Sequence, residues 1–366
     1  MIKEKTKDNG ETLCLNGLKG LACLIIAFIW HYQHFAPAEG YPFYKIFNVS
    51  YRSGLYFVEL FFMLSGLVMT LGYGRRVMEG KISFGKYMLR RIVKIYPLYL
   101  IALFAVTAAE LLYRHLFADT FVYGNFNLKH FLMHFFCLQG GLLSTDWSFN
   151  APAWCISVCF VMYILFFLIL RNCRSFGRAA VPFFLMMVAG FILVRKDYSY
   201  PVINTLIGRG LLCFPIGVMI AVLWLHNSLK YRNIIGAAAL TLAIAVYIFL
   251  RRTDPLMPFR TQMIYTFALA PLIILAALYF KPLNRLLATS PVQYLGKLSL
   301  PVYLLHFFVQ CVFDMTRRYF ELDLNYSSRK VWLLYVASVL LVAALYYELI
   351  EKRLIPRLSS RLRKSA

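Results

Sequence analysis

Ten apolar runs divide the chain, and each is long enough to cross the hydrocarbon core of a bilayer as a helix. A helix rises ~1.5 Å per residue, so about 20 apolar residues span the roughly 30 Å of that core. Of the 366 residues, 61% are hydrophobic and only 15% are charged, which is too apolar for a surface in contact with water. The sequence therefore predicts an all-α fold, a polytopic transmembrane bundle of about ten helices that forms one domain over residues 1–366.

The predicted spans follow the apolar runs and have soft boundaries. They lie at 13–35, 55–73, 92–112, 154–170, 179–194, 203–225, 234–250, 262–280, 298–314 and 331–350. The first run begins behind a lysine-bearing start and has no small-residue cleavage site, so we expect a retained first helix. The longest connection runs from Tyr113 to Ala153, and its stretch His130–Leu143 is apolar enough to dip back into the membrane interface.

Topology explains the formal net charge of +23. A positive charge of this size can indicate nucleic-acid binding, but the basic residues fall in short clusters between the apolar runs rather than along one face or tail. Under the positive-inside rule, these clusters place both termini in the cytoplasm, with short tails at 1–12 and 352–366. We therefore expect membrane lipid, and no nucleic acid, as a partner.

The eight cysteines show neither a disulfide pattern nor a metal-binding pattern. Most of them lie inside apolar stretches, without a CxxC pair or a Cys/His spacing typical of zinc. They are Cys14, Cys23, Cys137, Cys155, Cys159, Cys173, Cys213 and Cys311. The sequence predicts no disulfide framework and no metal.

Ionisable residues at membrane depth are costly, so each of them is a candidate functional residue. In the first span, Lys19 lies near the predicted inner side, and His31 lies about 18 Å further along, in the outer half. A neutral imidazole there can act as a general base, although an interfacial histidine beside aromatic residues is an equally good interpretation. The interfacial interpretation fits His34 better, because it lies a turn nearer the external water.

Glu59 is a lone carboxylate in the second span, at about the depth of His31. It can hold His31 in one tautomer, or it can simply pair with a neighbouring Lys or Arg. Trp154 and Ser157 begin the fourth span at its outer end. A tryptophan there is ordinarily a membrane anchor, and the serine is a candidate hydrogen-bond donor to a substrate.

Arg90, Arg91 and Lys94 lie where the third span leaves the cytoplasm. Arg91 and Lys94 are three residues apart and share a helix face, which suits a bound polyphosphate that approaches from the cytoplasm. Positive-inside topology explains the same residues, and position alone favours that explanation.

Together these clusters resemble the acyltransferase 3 family, whose members move acyl groups, often acetyl, from cytoplasmic acyl-CoA onto extracytoplasmic sugars. The resemblance covers nearly the whole chain, and its six strings stand in the family's order: Leu18–Ala22 with His31, Val58–Gly66, Arg90–Pro97, Trp154–Val158, Tyr294–Ser299 running into Tyr303–His306, and Tyr347 with Glu351. It implies an O-acyltransferase of surface polysaccharides in the plasma membrane of a bacterium, with acyl-CoA, in the first instance acetyl-CoA, as co-substrate and a saccharide as acceptor.

The resemblance leads to a set of assigned roles. The catalytic candidates are His31 as base and Glu59 as its orienting group. The candidates for binding acyl-CoA are Arg90, Arg91, Lys94 and Lys19. The candidates for binding substrate are Trp154, Ser157 and His34.

The first span departs from the family pattern in its spacing. Family members usually have Arg where this chain has Lys19, and their histidine follows after eleven residues rather than the twelve that separate Lys19 from His31. Eleven steps bring two side chains to within about 20° of one helix face, whereas twelve leave them about 120° apart. We therefore expect a π-bulge or non-helical turn between Gly20 and Trp30, with His31 rather than Trp30 pointing into the bundle.

Two further departures concern single residues. Lys94 stands where Arg is usual, which keeps the charge and loses the bidentate fork. Cys159 stands where many members carry Glu, so that any role of this acid is absent or filled elsewhere.

The alternative function is a secondary transporter in which Glu59, His31 and Lys19 form a proton or anion relay. Against it, the sequence has neither mirrored halves nor a pair of broken helices, which are common in transporters. A third interpretation, a lipid-binding scaffold without turnover, gives His31 no purpose.

Overall fold

The computed structural model describes residues 12–226, 231–253 and 258–353. Within these ranges, ten helices are long and apolar enough to cross a membrane. We number them spans 1 to 10 in chain order: Leu13–Phe35, Tyr44–Met78, Phe84–Phe117, Ala151–Cys173, Phe176–Lys196, Thr205–His226, Arg232–Arg252, Pro258–Tyr279, Ser290–Tyr319 and Arg329–Glu351. The predicted all-α bundle of about ten spans is confirmed, and the chain is a multi-pass membrane protein.

The predicted spans all fall on helices of the structure, but several helices are longer than predicted. Spans 3 and 9 begin about eight residues before the predicted starts and end about five residues after the predicted ends. Hydropathy reports only the apolar part of a helix, and polar residues can continue the helix into water. Most of the predicted tails, 1–11 and 354–366, lies outside the described residues, so the cytoplasmic location of both termini stays a prediction.

The ten spans form a central set and an outer set. Spans 1, 2, 4, 6, 8 and 9 are more than half buried within the protein, whereas spans 3, 5, 7 and 10 are a third buried or less. The most extensive helix contacts join spans 5 and 6, spans 2 and 6, and spans 1 and 9. With the exception of the span 3 cations, the predicted site residues therefore lie on central spans.

The long connection between spans 3 and 4 is tied to the bundle by hydrogen bonds. It contains the short helix Leu128–Phe135, and the hydroxyl of Tyr99 in span 3 donates to the carbonyl of His134 at 2.6 Å. Nδ2 of Asn150 donates to the carbonyl of Leu304 in span 9 at 2.8 Å. Burial, with His130 nearby, lowers the pKa of His134 to about 3, so this imidazole is neutral.

The predicted return of this segment into the membrane interface stays a prediction.

Glycines let the central helices approach each other closely. Gly217 of span 6 lies against the backbone carbonyl of Met63 in span 2, and Gly66 of span 2 lies against that of Phe214. A Cβ atom at either glycine would overlap the facing carbonyl oxygen, which is part of a helix backbone and cannot move aside alone. Small residues at such contacts are typical of membrane helices, where association depends on close packing.

The substitution Gly217→Ala should therefore destabilise the protein. Overpacking in a core typically costs about 1–3 kcal/mol, and a clash with backbone belongs at the upper end of that range. Thermal unfolding in detergent measures the effect. The matched control is Gly177→Ala, because a Cβ atom there meets nothing within 4 Å. Equal midpoints for the two variants would contradict the close packing of spans 2 and 6.

Candidate active site

Span 1 changes its winding twice before it ends. A regular α-helix over Leu13–Ile25 is followed by a π-helical turn over Ile26–Trp30 and by a 3₁₀ turn over His31–Phe35. His31 is buried, whereas Trp30 is partly exposed. The π-bulge expected between Gly20 and Trp30 is therefore confirmed, and so is the inward placement of His31.

Side chains of spans 9 and 10 bind the carbonyl groups at this change of winding. Nε1 of Trp332 donates to the carbonyl of Phe28 at 2.8 Å, and the hydroxyl of Tyr335 donates to that of Ala27 at 3.2 Å. Nε2 of Gln310 donates to the carbonyl of His31 at 2.8 Å. Non-regular backbone at membrane depth needs such partners because lipid supplies none. The bulge is thus built into the bundle by three side chains from other helices.

His31 contacts a second buried histidine, His306 of span 9. Nδ1 of His31 lies 2.7 Å from Nε2 of His306, and the ring centroids are 4.8 Å apart. Nδ1 of His306 lies 2.8 Å from the carbonyl oxygen of Tyr303 and 3.2 Å from that of Val302. A carbonyl oxygen only accepts, so Nδ1 of His306 carries the hydrogen.

This chain of hydrogen bonds determines the tautomer of His31. Since Nδ1 of a neutral His306 carries the hydrogen, its Nε2 accepts, and Nδ1–H of His31 must be the donor. Nε2 of His31 is then left with a lone pair, as a general base requires. Sequence reasoning had not assigned His306 a role, although a histidine inside an apolar span was a signal that could have found it.

A third imidazole, His34, stacks on His31 with the ring centroids 5.2 Å apart. Because Nε2 of Gln310 donates to the His31 carbonyl, Oε1 of the same amide accepts from Nδ1 of His34 at 3.2 Å. Nε2 of His34 is therefore also an acceptor, 3.5 Å from the hydroxyl of Tyr123. The three rings form one cluster, in which Gln310 and His306 set the hydrogen positions.

Glu59 lies in a buried ion pair rather than beside His31. Its carboxylate is fully buried and accepts from Nε of Arg209 at 2.8 Å, from Nη2 of Arg209 at 2.7 Å and from Nε2 of Gln262 at 2.9 Å. The expected orientation of His31 by Glu59 is corrected accordingly, because His306 holds Nδ1 of His31. Of the two interpretations of Glu59, the structure shows the ion pair, which joins spans 2, 6 and 8.

A cavity of about 190 Å³, here called the donor cavity, brings three of the predicted cations together. Its wall contains Lys19 of span 1 and both Arg91 and Lys94 of span 3. Arg91 donates to the hydroxyl of Tyr73 at 2.7 Å, while its buried Nε has no partner among the described residues. Arg90 is exposed and is not part of the wall. The rest of the wall is largely apolar, as in Leu64, Val68, Ile95, Ile156 and Leu300.

The two predicted substrate residues of span 4 lie apart from the donor cavity. Ser157 is fully buried, with its hydroxyl 3.4 Å from the thiol of Cys137. Trp154 is buried as well, and the guanidinium of Arg209 lies 4.9 Å from its ring, so it packs on the ion pair rather than anchoring the helix at a membrane surface. Cys159, which stands where the family often has Glu, does line the cavity.

The cavity and the histidine cluster contain no arrangement for a metal. Among the described residues, no group of three or more His, Cys, Asp and Glu side chains is placed to hold an ion. The eight cysteines are free thiols.

Comparison with known proteins identifies the family to which this chain belongs. A family model of acyltransferase 3, described as an acyltransferase domain, matches residues 12–348. The chain belongs to the acyltransferase 3 family. A curated relative, Protein 2 in picA locus of Rhizobium radiobacter, is 34% identical over 96 residues, which cover 26% of this chain and 44% of that protein. No solved structure matches this chain.

Removal of the guanidinium in the variant Arg209→Met should strongly destabilise the protein, because it leaves the Glu59 carboxylate buried without its charged partner. Breaking a buried pair on one side typically costs about 3–5 kcal/mol, whereas replacing both partners by apolar residues can be neutral. Thermal unfolding in detergent should show a large loss for Arg209→Met and recovery in the double variant Glu59→Leu/Arg209→Met. The exposed Arg178→Met serves as control; a loss no greater than in this control would contradict the role of the pair.

Proposed function

We propose that this acyltransferase moves an acyl group, in the first instance acetyl, from cytoplasmic acyl-CoA to a hydroxyl of an extracytoplasmic saccharide. The observation that carries the proposal is the hydrogen-bond chain from the Tyr303 carbonyl through His306 to His31. It leaves a basic nitrogen, Nε2 of His31, in the interior of the bundle. A fixed and buried base is suited to the deprotonation of a hydroxyl.

The donor cavity supports acyl-CoA as the source of the acyl group. Three cations line it, and no carboxylate does among the described residues. Arginine and lysine side chains bind phosphates. The apolar wall suits the pantetheine arm. The donor cavity extends to Tyr303, whose ring centroid lies 6.1 Å from that of His306.

The proposed reaction uses His31 first as base and then as acid. Nε2 of His31 takes the proton of the acceptor hydroxyl while the hydroxyl oxygen attacks the thioester carbonyl. The carbon–sulfur bond then breaks, and the proton passes from His31 to the sulfur, so that CoA leaves as a free thiol. The bond from Nδ1–H of His31 to His306 strengthens when His31 is charged, because a charged donor makes a stronger hydrogen bond.

The transporter alternative receives less support from the same residues. A relay through Glu59 needs a carboxylate that can exchange protons, but this one is held by Nε and Nη2 of Arg209 and by Nε2 of Gln262. Together with the family match, this favours the enzyme. Mass spectrometry of surface polysaccharides from cells with and without the gene tests the proposal directly. Polysaccharides from cells without the gene should lack the mass of one acyl group.

The variant His31→Ala should abolish acyl transfer and leave the protein folded. A general base contributes typically 10²–10⁴-fold to the rate. Initial rates with acetyl-CoA in detergent measure the loss, and the exposed His226→Ala is the control. Activity of His31→Ala close to that of the control would exclude His31 as the base.

The variant His306→Ala should lower kcat by roughly 10–100-fold without changing the KM for acetyl-CoA, because it removes the group that orients His31. His306→Gln retains a side-chain acceptor and should recover part of the loss. A merely structural role for His306 would instead lower the folded yield of both variants and leave the kcat of the folded fraction unchanged.

The double variant Arg91→Ala/Lys94→Ala should raise the KM for acyl-CoA by tenfold or more, as roughly expected from the loss of charge-assisted bonds to phosphate. Its kcat should change less, because the phosphates are remote from the reacting carbon. Calorimetry with CoA checks the binding. The exposed Lys86→Ala is the matched control on the same helix. Unaltered CoA affinity in the double variant would show that the cluster reflects only the positive-inside rule and does not bind CoA.

A further inference from the structure

A second cavity, of about 530 Å³, lies at the end of span 1 opposite Lys19. We call it the outer cavity, because the predicted topology places it on the external side. Its wall includes His34 and Phe35 at the end of span 1, together with residues of span 9 and of the loop that follows it. Its volume lies within the usual range for small-molecule sites, about 300–1,000 Å³.

The histidine cluster lies between the two cavities. The donor cavity reaches Tyr303, next to His306, and the outer cavity reaches His34. His306 and His31 are 4.8 Å apart between ring centroids, and His31 and His34 are 5.2 Å apart. The outer cavity therefore reaches a ring, His34, that stacks on the proposed base.

Negative charge is in excess among the residues that line the outer cavity. Three carboxylates line it, from Glu39, Asp314 and Asp323, whereas Arg317 is the one cation among the described lining residues with a permanent charge. Asp314 accepts from Arg317 at 3.1 Å, so these two charges offset each other. Glu39 accepts from the neutral amide of Asn325 at 2.8 Å. Glu39 and Asp323 are both exposed, and their charges face the cavity without a cationic partner there.

The remaining groups of the wall suit a polyhydroxylated ring. The carboxylates of Glu39 and Asp323 are hydrogen-bond acceptors, which hydroxyl groups can satisfy. The rings of Phe35 and Tyr326 stack on each other with centroids 4.4 Å apart and form the aromatic part of the wall.

From this geometry we infer that the outer cavity is the acceptor site and that it selects neutral or amine-bearing saccharides and excludes acidic ones. The inference rests on the proposed function and adds the acceptor class. A uronate or phosphate group in the cavity meets two carboxylates that no lining cation offsets, and like charges repel. An ammonium group is attracted by the same two carboxylates.

The test uses the full-length protein in detergent with three matched probes: methyl glucoside, methyl glucosaminide and methyl glucuronide. Calorimetry measures binding, and mass spectrometry measures acetyl transfer from acetyl-CoA. We expect the first two probes to bind at least tenfold more tightly than the glucuronide. In the double variant Glu39→Gln/Asp323→Asn, the ratio of the glucuronide affinity to the glucoside affinity should be about tenfold higher than in the native protein.

The control is Glu321→Gln, which removes an exposed carboxylate from the same loop but outside the cavity wall and should change none of the affinities. Equal affinity of the native protein for glucoside and glucuronide overturns the inference, as does an unaltered preference in the double variant or no binding of any probe. Selective binding without acetyl transfer supports the acceptor class and counts against acetyl-CoA chemistry. Transfer to all three probes with equal kcat/KM supports the chemistry and overturns the selectivity.

Discussion

The buried ion pair between Glu59 and Arg209 fixes the central spans relative to one another. In an apolar medium neither charge can be left alone, so spans 2 and 6 have one register in which the pair forms. Gln262 adds span 8 to the same carboxylate, and Trp154 adds span 4 through the guanidinium. The part of span 2 that lines the donor cavity begins at Phe61, two residues after Glu59. The position of that wall therefore depends on a charge pair that takes no part in the proposed chemistry.

Much of the fold, and one detail of the site, could be predicted from local properties of the sequence. Hydropathy predicts the ten spans, and the spacing of twelve residues between Lys19 and His31, one more than the family resemblance implies, predicts a bulge where the structure has the π-turn Ile26–Trp30. Both predictions depend on geometry within a single helix. The clustering of Lys19 with Arg91 and Lys94 rested on the resemblance, since position alone favoured topology.

The contacts between distant helices could not be predicted in this way. The partner of Glu59 is Arg209, 150 residues further along the chain, and the partner of His31 is His306, 275 residues away. Which ionisable groups meet depends on how the spans pack, and hydropathy has no information about packing order. The placement of Ser157 shows the same limit, because the direction of a side chain depends on the neighbouring helix.

The stacked imidazoles bear on the proton gradient across the membrane. A base inside a membrane could let hydrogen ions leak down the electrochemical gradient if its hydrogen bonds continued from one side to the other. Here the chain from His31 through His306 ends on the backbone carbonyls of Tyr303 and Val302, which accept a hydrogen and have none to pass on. The same bonds that set the tautomer of the proposed base therefore end this path for hydrogen ions, so that the proposed acid–base reaction need not cause a leak across the membrane.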